Sequence, residues 1–192
     1  MSNGTTSEVI LVACSGPKQH HPCRARDLYR SKTFQLAKQY AILSGRPWRI
    51  LSAKHGLLHP DTQIQPYDLR PIHLGVAGRR EWVSLILRQL DQDRVFDGKT
   101  IEVLAGADYC RTLVPALQQR GFEVVLPLAG LGHGQRQKWL TLQLLRGASS
   151  GFWSIESDQI DRRLAALVDR AMTLNAARSR RGDPGGSGDD EA

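Results

Sequence analysis

The stretch Ile50–Leu58, ILSAKHGLL, decides how this chain is read. Its first residues continue a short apolar run, WRILS (Trp48–Ser52), which has the length and β-branched content of a buried strand. The run then meets Ser52, Lys54, His55 and Gly56. A hydroxyl, an ammonium and an imidazole beside a glycine either only end the strand or stand where chemistry happens. The neighbouring elements bear on that choice.

Three further strands are expected: EVILVAC (Glu8–Cys14), KTIEVLAG (Lys99–Gly106) and FEVVLPL (Phe122–Leu128). Helical periodicity lies between them. Ser31 can cap a helix that turns Phe34, Ala37 and Ala41 inward and stops near Gly45 and Pro47. Trp82, Val83, Ile86, Leu87 and Leu90 form one face of a helix over Arg80–Leu90. ADYCRTLVPALQQRG is a third helix ending at Gly121, with a kink expected at Pro115. RQKWLTLQLLR is a fourth, and SDQIDRRLAALVDRAM, capped by Ser157, a fifth. Residues 54–78 form a long irregular segment broken by Pro60, Pro66 and Pro71, a length typical of lids and binding loops.

Strand alternating with helix gives an α/β fold class: a single three-layer domain, mainly a parallel sheet of about four strands with helices on both faces. The domain is expected over residues 8–174, after a flexible N-terminus (1–7) and before a disordered, Gly-rich tail (175–192).

In such sheets ligands bind beyond the carboxyl ends of the strands. Each expected strand delivers a polar group there. Strand one gives Cys14, Ser15, Gly16 and Lys18, and strand two gives Ser52, Lys54, His55 and Gly56. Strand three gives Gly106, Asp108 and Tyr109, and strand four gives Gly130, Gly132, His133, Gly134, Gln135 and Arg136.

The turn GLGHGQR can present backbone N–H groups to an anion, or only form a tight bend. It has neither the dinucleotide fingerprint nor the Gly-Lys-Ser/Thr ending of a P-loop. Lys54 can hold phosphate or stabilise developing negative charge, and His55 can move a proton near neutral pH. Lys18 repeats the first logic. Asp68, beside Tyr67 in QPYDL, is a general base or a turn former. Asp108 is a helix cap or a catalyst, and Tyr67 can stack on a base. Cys14 ends an apolar strand, where an inert thiol is the commoner case. Cys14, His20, His21 and Cys23 lack the paired spacing of a zinc site, so neither metal nor other cofactor is expected.

Bulk properties narrow the partners. The chain has 192 residues and a formal charge of +7. The last eighteen residues hold three arginines against four acids, a net of −1, which leaves +8 on the rest. A basic body suits phosphate-bearing partners: nucleotide, nucleoside or nucleic acid. No run approaches the roughly 20 apolar residues of a membrane span. The polar start MSNGTTSE and three scattered cysteines fit a cytoplasmic location.

LVACSGPK, ARDLYRSKTFQLAKQYA, WRILSAKHGLLHPDTQIQPYDL and PLAGLGHGQRQKWL together resemble a bacterial and phage family of unknown function, over roughly Val9–Leu145. The positions that carry the likeness are Cys14, Ser15, Lys18, Lys54, His55, Gly56, Tyr67, Asp68, Gly106, Gly130 and Gln135. The opening strand-(C)S-x-x-K is also similar to the YaaA peroxide-stress proteins and the archaeosine synthase core. That likeness implies a DNA-binding or base-modifying background.

Two functions are open at this stage. One is an enzyme acting on a base or N-glycosidic bond. Phosphate would sit on the Gly-rich turn and Lys18, Lys54 and His55 would be the electrostatic or acid groups, and Asp68 or Asp108 would activate water or a nucleophile. The other is a non-catalytic DNA- or RNA-binding protein of a stress or phage-related system, using the basic body and aromatics such as Tyr67 and Trp153.

Overall fold

A computed structural model of the chain describes residues 8–97 and 100–150. The expected helix over 157–172, Trp153, both terminal segments and Lys99 lie outside the described residues.

The architecture is α/β, as the alternation of patterns indicates. Strand β1 (Glu8–Ala13) is followed by a two-residue strand β2 (Cys23–Arg24), a short helix α1 (Ala25–Leu28) and helix α2 (Lys32–Leu43). Then come β3 (Trp48–Ser52), β4 (Gly56–Leu58) and β5 (Gln63–Ile64), and after a 3₁₀ turn at Pro71–Leu74, helix α3 (Gly75–Gln92). Strand β6 (Thr100–Leu104), helix α4 (Ala107–Gln119), β7 (Glu123–Val125) and α5 (His133–Ser150) complete the order.

The sheet has five strands in the order β4-β3-β1-β6-β7. The four expected strands are there and mutually parallel, β1 lying between β3 and β6, with β7 beyond β6. The fifth is a correction. Gly56–Leu58 turns back and pairs antiparallel with β3, Ser52 opposite Gly56, so the sheet is mixed. The long segment after Lys54 is therefore less irregular than expected. It holds β4, the β5 strand that pairs with β2, and a 3₁₀ turn. Helix α3 starts at Gly75 rather than Arg80.

Local chemistry explains the helices. The Ser31 hydroxyl accepts a hydrogen bond from Phe34 N at 3.2 Å, the cap expected from the sequence, a contact of about 1 kcal/mol. Phe34, Ala37 and Ala41 are buried on α2, and Trp82, Val83, Ile86 and Leu90 on α3. Helix α4 continues through Pro115. Strand β1 is the centre of the core: Val9, Ile10, Leu11 and Val12 are all fully buried, which a strand covered on both faces requires.

The connections place a crevice. From β1 the chain moves to β3 through α2; from β3 it crosses back past β1 to β6 through α3, then on to β7 through α4. Right-handed crossovers in opposite directions put α2 on one face and α3 with α4 on the other. The packing agrees, since α2 lies against α5, and α3 against α4. The loops leaving β1 and β6 thus diverge to opposite faces, and the space between their carboxyl ends is the topological switch point.

Candidate functional site

The loop after β1 is fixed on both sides. Gly16 has φ +73°, and a Cβ there would sit 2.7 Å from the Ser31 Cβ, so the backbone presses against the α2 cap. Ser15 Oγ lies 2.7 Å from Ser31 Oγ. Arg30 N donates to the Pro17 carbonyl and Gln19 N to the Leu28 carbonyl, both at 2.8 Å. This narrow ladder holds Lys18 opposite Tyr29.

The end of β3 is built around Ser52, which is fully buried. Its hydroxyl accepts from Lys54 N at 3.2 Å and His55 N at 3.0 Å, making the turn that β4 then leaves. Trp82 Nε1 on α3 donates to the Ser52 carbonyl at 2.8 Å. Gln89 closes the hairpin: its Oε1 accepts from Leu57 N at 2.7 Å, and its amide donates to the His55 carbonyl at 3.0 Å.

Tyr67 lies on this frame. Its hydroxyl is 2.7 Å from Ser52 Oγ, 2.8 Å from the Tyr29 hydroxyl and 3.6 Å from Cys14 Sγ. Cys14 Sγ is also 3.0 Å from the Tyr109 hydroxyl at the start of α4. Burial, and then the charge a Cys14 thiolate would carry, push the Tyr29, Tyr67 and Tyr109 phenols well above the ordinary tyrosine range. They stay protonated, so each hydroxyl can both donate and accept within this network. Two ammonium groups flank the Tyr67 ring, Lys18 Nζ at 4.6 Å and Lys54 Nζ at 5.6 Å from its centroid. The His55 ring meets it edge-on at 5.2 Å. Burial, and then Lys54, push the His55 imidazole below its usual range.

Above this network, at the switch point, lies a cavity of about 960 Å³. Ser15, Gly16 and Lys18 line it from the β1 loop, Gly106, Asp108 and Tyr109 from the start of α4, and Tyr67 and Asp68 from the strap over it. His133 and Arg136 reach it from α5. Lys18, Arg70 and Arg136 are the cationic side chains on this wall, and Asp68 and Asp108 the acidic ones. None of the five makes an ion pair among the described residues, whereas Arg24, Arg26, Arg46, Arg49 and Arg120 all do. Arg136 Nε is buried and has no hydrogen-bond partner among the described residues.

The model of a family of unknown function, DUF6884, matches residues 9–142 of this chain. The chain belongs to that family. The match spans the cavity-lining residues from Ala13 to Arg136. A comparison with curated proteins finds no match. Among the described residues of this DUF6884 protein, no helix is long and apolar enough to cross a membrane. Nor do three His, Cys, Asp or Glu side chains gather as a metal-holding group among them.

Not every residue singled out from the sequence faces the DUF6884 cavity. Lys54 is exposed, His55 is half-buried behind Tyr67, and neither lines the cavity. Gly56 serves the hairpin: its φ is +69°, and a Cβ would run into Gln89 and Leu85. Ser52 sits beneath the cavity as a frame residue. Gly130, Gly132 and Gly134 lie off the cavity wall. Gln135 is occupied as a helix cap, its Oε1 accepting from Gly132 N at 2.8 Å. Gly106 matters through contact, because a Cβ there would sit 2.7 Å from Arg136 Nη1. Asp108 stands in the first turn of α4, whose N-cap is Gly106, so it faces the positive end of the helix rather than occupying the cap position.

Sequence reasoning missed Tyr29, Arg70 and the pairing of Cys14 with Tyr109 in the DUF6884 site. Tyr29 had one signal, a polar-tipped aromatic in a stretch otherwise read as loop; once buried, its hydroxyl needs a partner. The Cys14–Tyr109 pairing follows only from β1 lying beside β6.

Proposed function

We propose that the DUF6884 cavity binds a nucleotide unit and acts on its base or N-glycosidic bond. The observation that carries this reading is the set of unpaired charges on one wall: Lys18, Arg70 and Arg136 with Asp68 and Asp108. Cations without a protein carboxylate partner suit phosphate, which arginine takes bidentately. The cavity has the volume of a small-molecule site and offers the Tyr67 and Tyr109 rings as apolar surface. In this reading Lys18 and Arg136 hold phosphate, with Gly106 keeping room for the guanidinium. Asp68 or Asp108 takes the proton of a water whose oxygen adds to C1′, and the base nitrogen leaves with the bonding pair. Lys54 and His55 act through Tyr67, as positioning residues.

The test is a thermal-shift panel of bases, nucleosides, nucleotides and short DNA and RNA, with chromatographic detection of released base. Selective stabilisation by one small ligand, together with turnover lost in Asp108→Asn or Asp68→Asn, is the expected result. If no ligand of the panel shifts the melting point, the reading falls. Binding without turnover would favour the second reading, a binding module, which the net charge of +7 supports.

A further inference from the structure

The chain lines the cavity wall as far as Ile72 and then leaves it; the stretch Arg70–Arg80, RPIHLGVAGRR, the lip, has three arginines, one histidine and no acid. Arg70 and Ile72 reach the cavity wall. The lip is apolar at its tip, with Ile72 59% and Val76 73% exposed. Val76 and Arg80 stand four residues apart on α3, which places them along one side of its first turns, and Ile72 is in the 3₁₀ turn just before it. Helix α3 begins with no side-chain cap and no acid in its first turn, so its positive end adds to the arginines. Arg70, Arg79 and Arg80 make no ion pair among the described residues, and Arg79 Nε is buried without a hydrogen-bond partner among them.

From this we infer that the lip docks a single polynucleotide strand, and that the cavity takes its base from that strand rather than as a free nucleotide. The inference rests on the nucleotide reading of the cavity. Arg70 on the cavity wall and the exposed Arg80 further along the same stretch are complementary to successive phosphates. Ile72 and Val76 offer aliphatic contact to the face of a base beside the one that enters, and an unpaired base is available without opening a duplex. An anionic membrane would be met by a broader apolar face than these two side chains provide.

The test compares the full chain with Val76→Ser/Arg80→Ala, two exposed positions outside the cavity wall. Binding of fluorescein-labelled single-stranded DNA and RNA of one sequence is followed by anisotropy across a salt series, beside the melting shift given by mononucleotides. In the variant, strand affinity should fall roughly tenfold, and the slope of log K against log salt by about 0.7 for the lost phosphate contact. The mononucleotide shift should not change. A preference between the two strands names the polymer. Equal strand affinity and slope in both proteins, with the mononucleotide shift intact, would overturn the docking lip and leave the cavity reading standing. No melting shift in the wild type with either mononucleotides or strands would sink the cavity reading, and the inference with it. Binding to phosphatidylserine vesicles in place of oligonucleotides, lost in the variant, would overturn the inference in favour of a membrane surface.

Discussion

The Tyr67 hydroxyl lies 2.7 Å from Ser52 Oγ, joining the strap over the cavity to the buried end of β3. The same hydroxyl meets Tyr29 at 2.8 Å. Tyr67→Phe keeps the ring between the two lysines and removes the hydroxyl from both contacts. We expect a loss of about 1–2 kcal/mol in urea unfolding. A variant as stable as the wild type would mean that the strap is held by packing alone.

Three phenols held above the ordinary range make stability fall in alkali. Burial is the largest cause for Tyr29, Tyr67 and Tyr109. The unfolded chain releases these protons from about pH 10, while the folded chain retains them. Stability is therefore full below that pH and declines above it. Tyr67→Phe should make the alkaline decline shallower, as read from unfolding midpoints over a pH series.

His55 works in the opposite range. Its imidazole is pushed down by burial and then by Lys54. The unfolded chain therefore takes up the proton first, and stability falls as pH drops below about 6.5. Lys54→Ala removes the second cause, so the His55 ring should titrate at higher pH in an NMR titration. An unchanged midpoint would show that the Lys54 charge is not felt there.

Gly56→Ala tests the hairpin. The alanine would have to adopt φ +69° and push aside Gln89, which bonds Leu57 N and the His55 carbonyl. A loss of roughly 2 kcal/mol or more is expected in chemical unfolding. A smaller loss would mean that the turn relaxes without disturbing α3.

Gly106→Ala tests the wall of the cavity rather than the fold. Gly106 has φ −85°, which alanine adopts freely, but its Cβ would displace the Arg136 guanidinium. On the proposed nucleotide reading of the cavity, affinity for the nucleotide should weaken roughly tenfold while the melting point hardly moves. Equal affinity would remove Arg136 from the anion contacts.

The parts of this molecule legible in the sequence are those set by local pattern. Val9–Val12 and Ile50–Leu51 are continuous apolar runs because they are covered on both faces, and the sheet follows from them. Ser31 announced its helix because capping is a short-range bond. Gly56–Leu58 was missed because three residues show no period, and its pairing depends on Gln89 from a distant helix. The start of α3 was missed because Gly75, Val76, Ala77 and Gly78 bury nothing that would mark a face. Among the site residues, the strand-end rule located Ser15, Lys18, Gly106, Asp108 and Arg136 on the cavity. It misplaced Lys54 and His55, since the turn into β4 carries them behind Tyr67.

The central position of β1 also sets an order of assembly. Its neighbour β3 is made soon after it, and the hairpin to β4 is local, so this half of the sheet can form while the chain is still short. Its other neighbour pairs residue 8 with residue 100, a long loop to close. Cys14 and Tyr109 come within reach of each other only after that closure. The cavity is thus a late product of folding, and a nascent chain released before β6 would carry a half-sheet with an open, apolar flank for chaperones to cover.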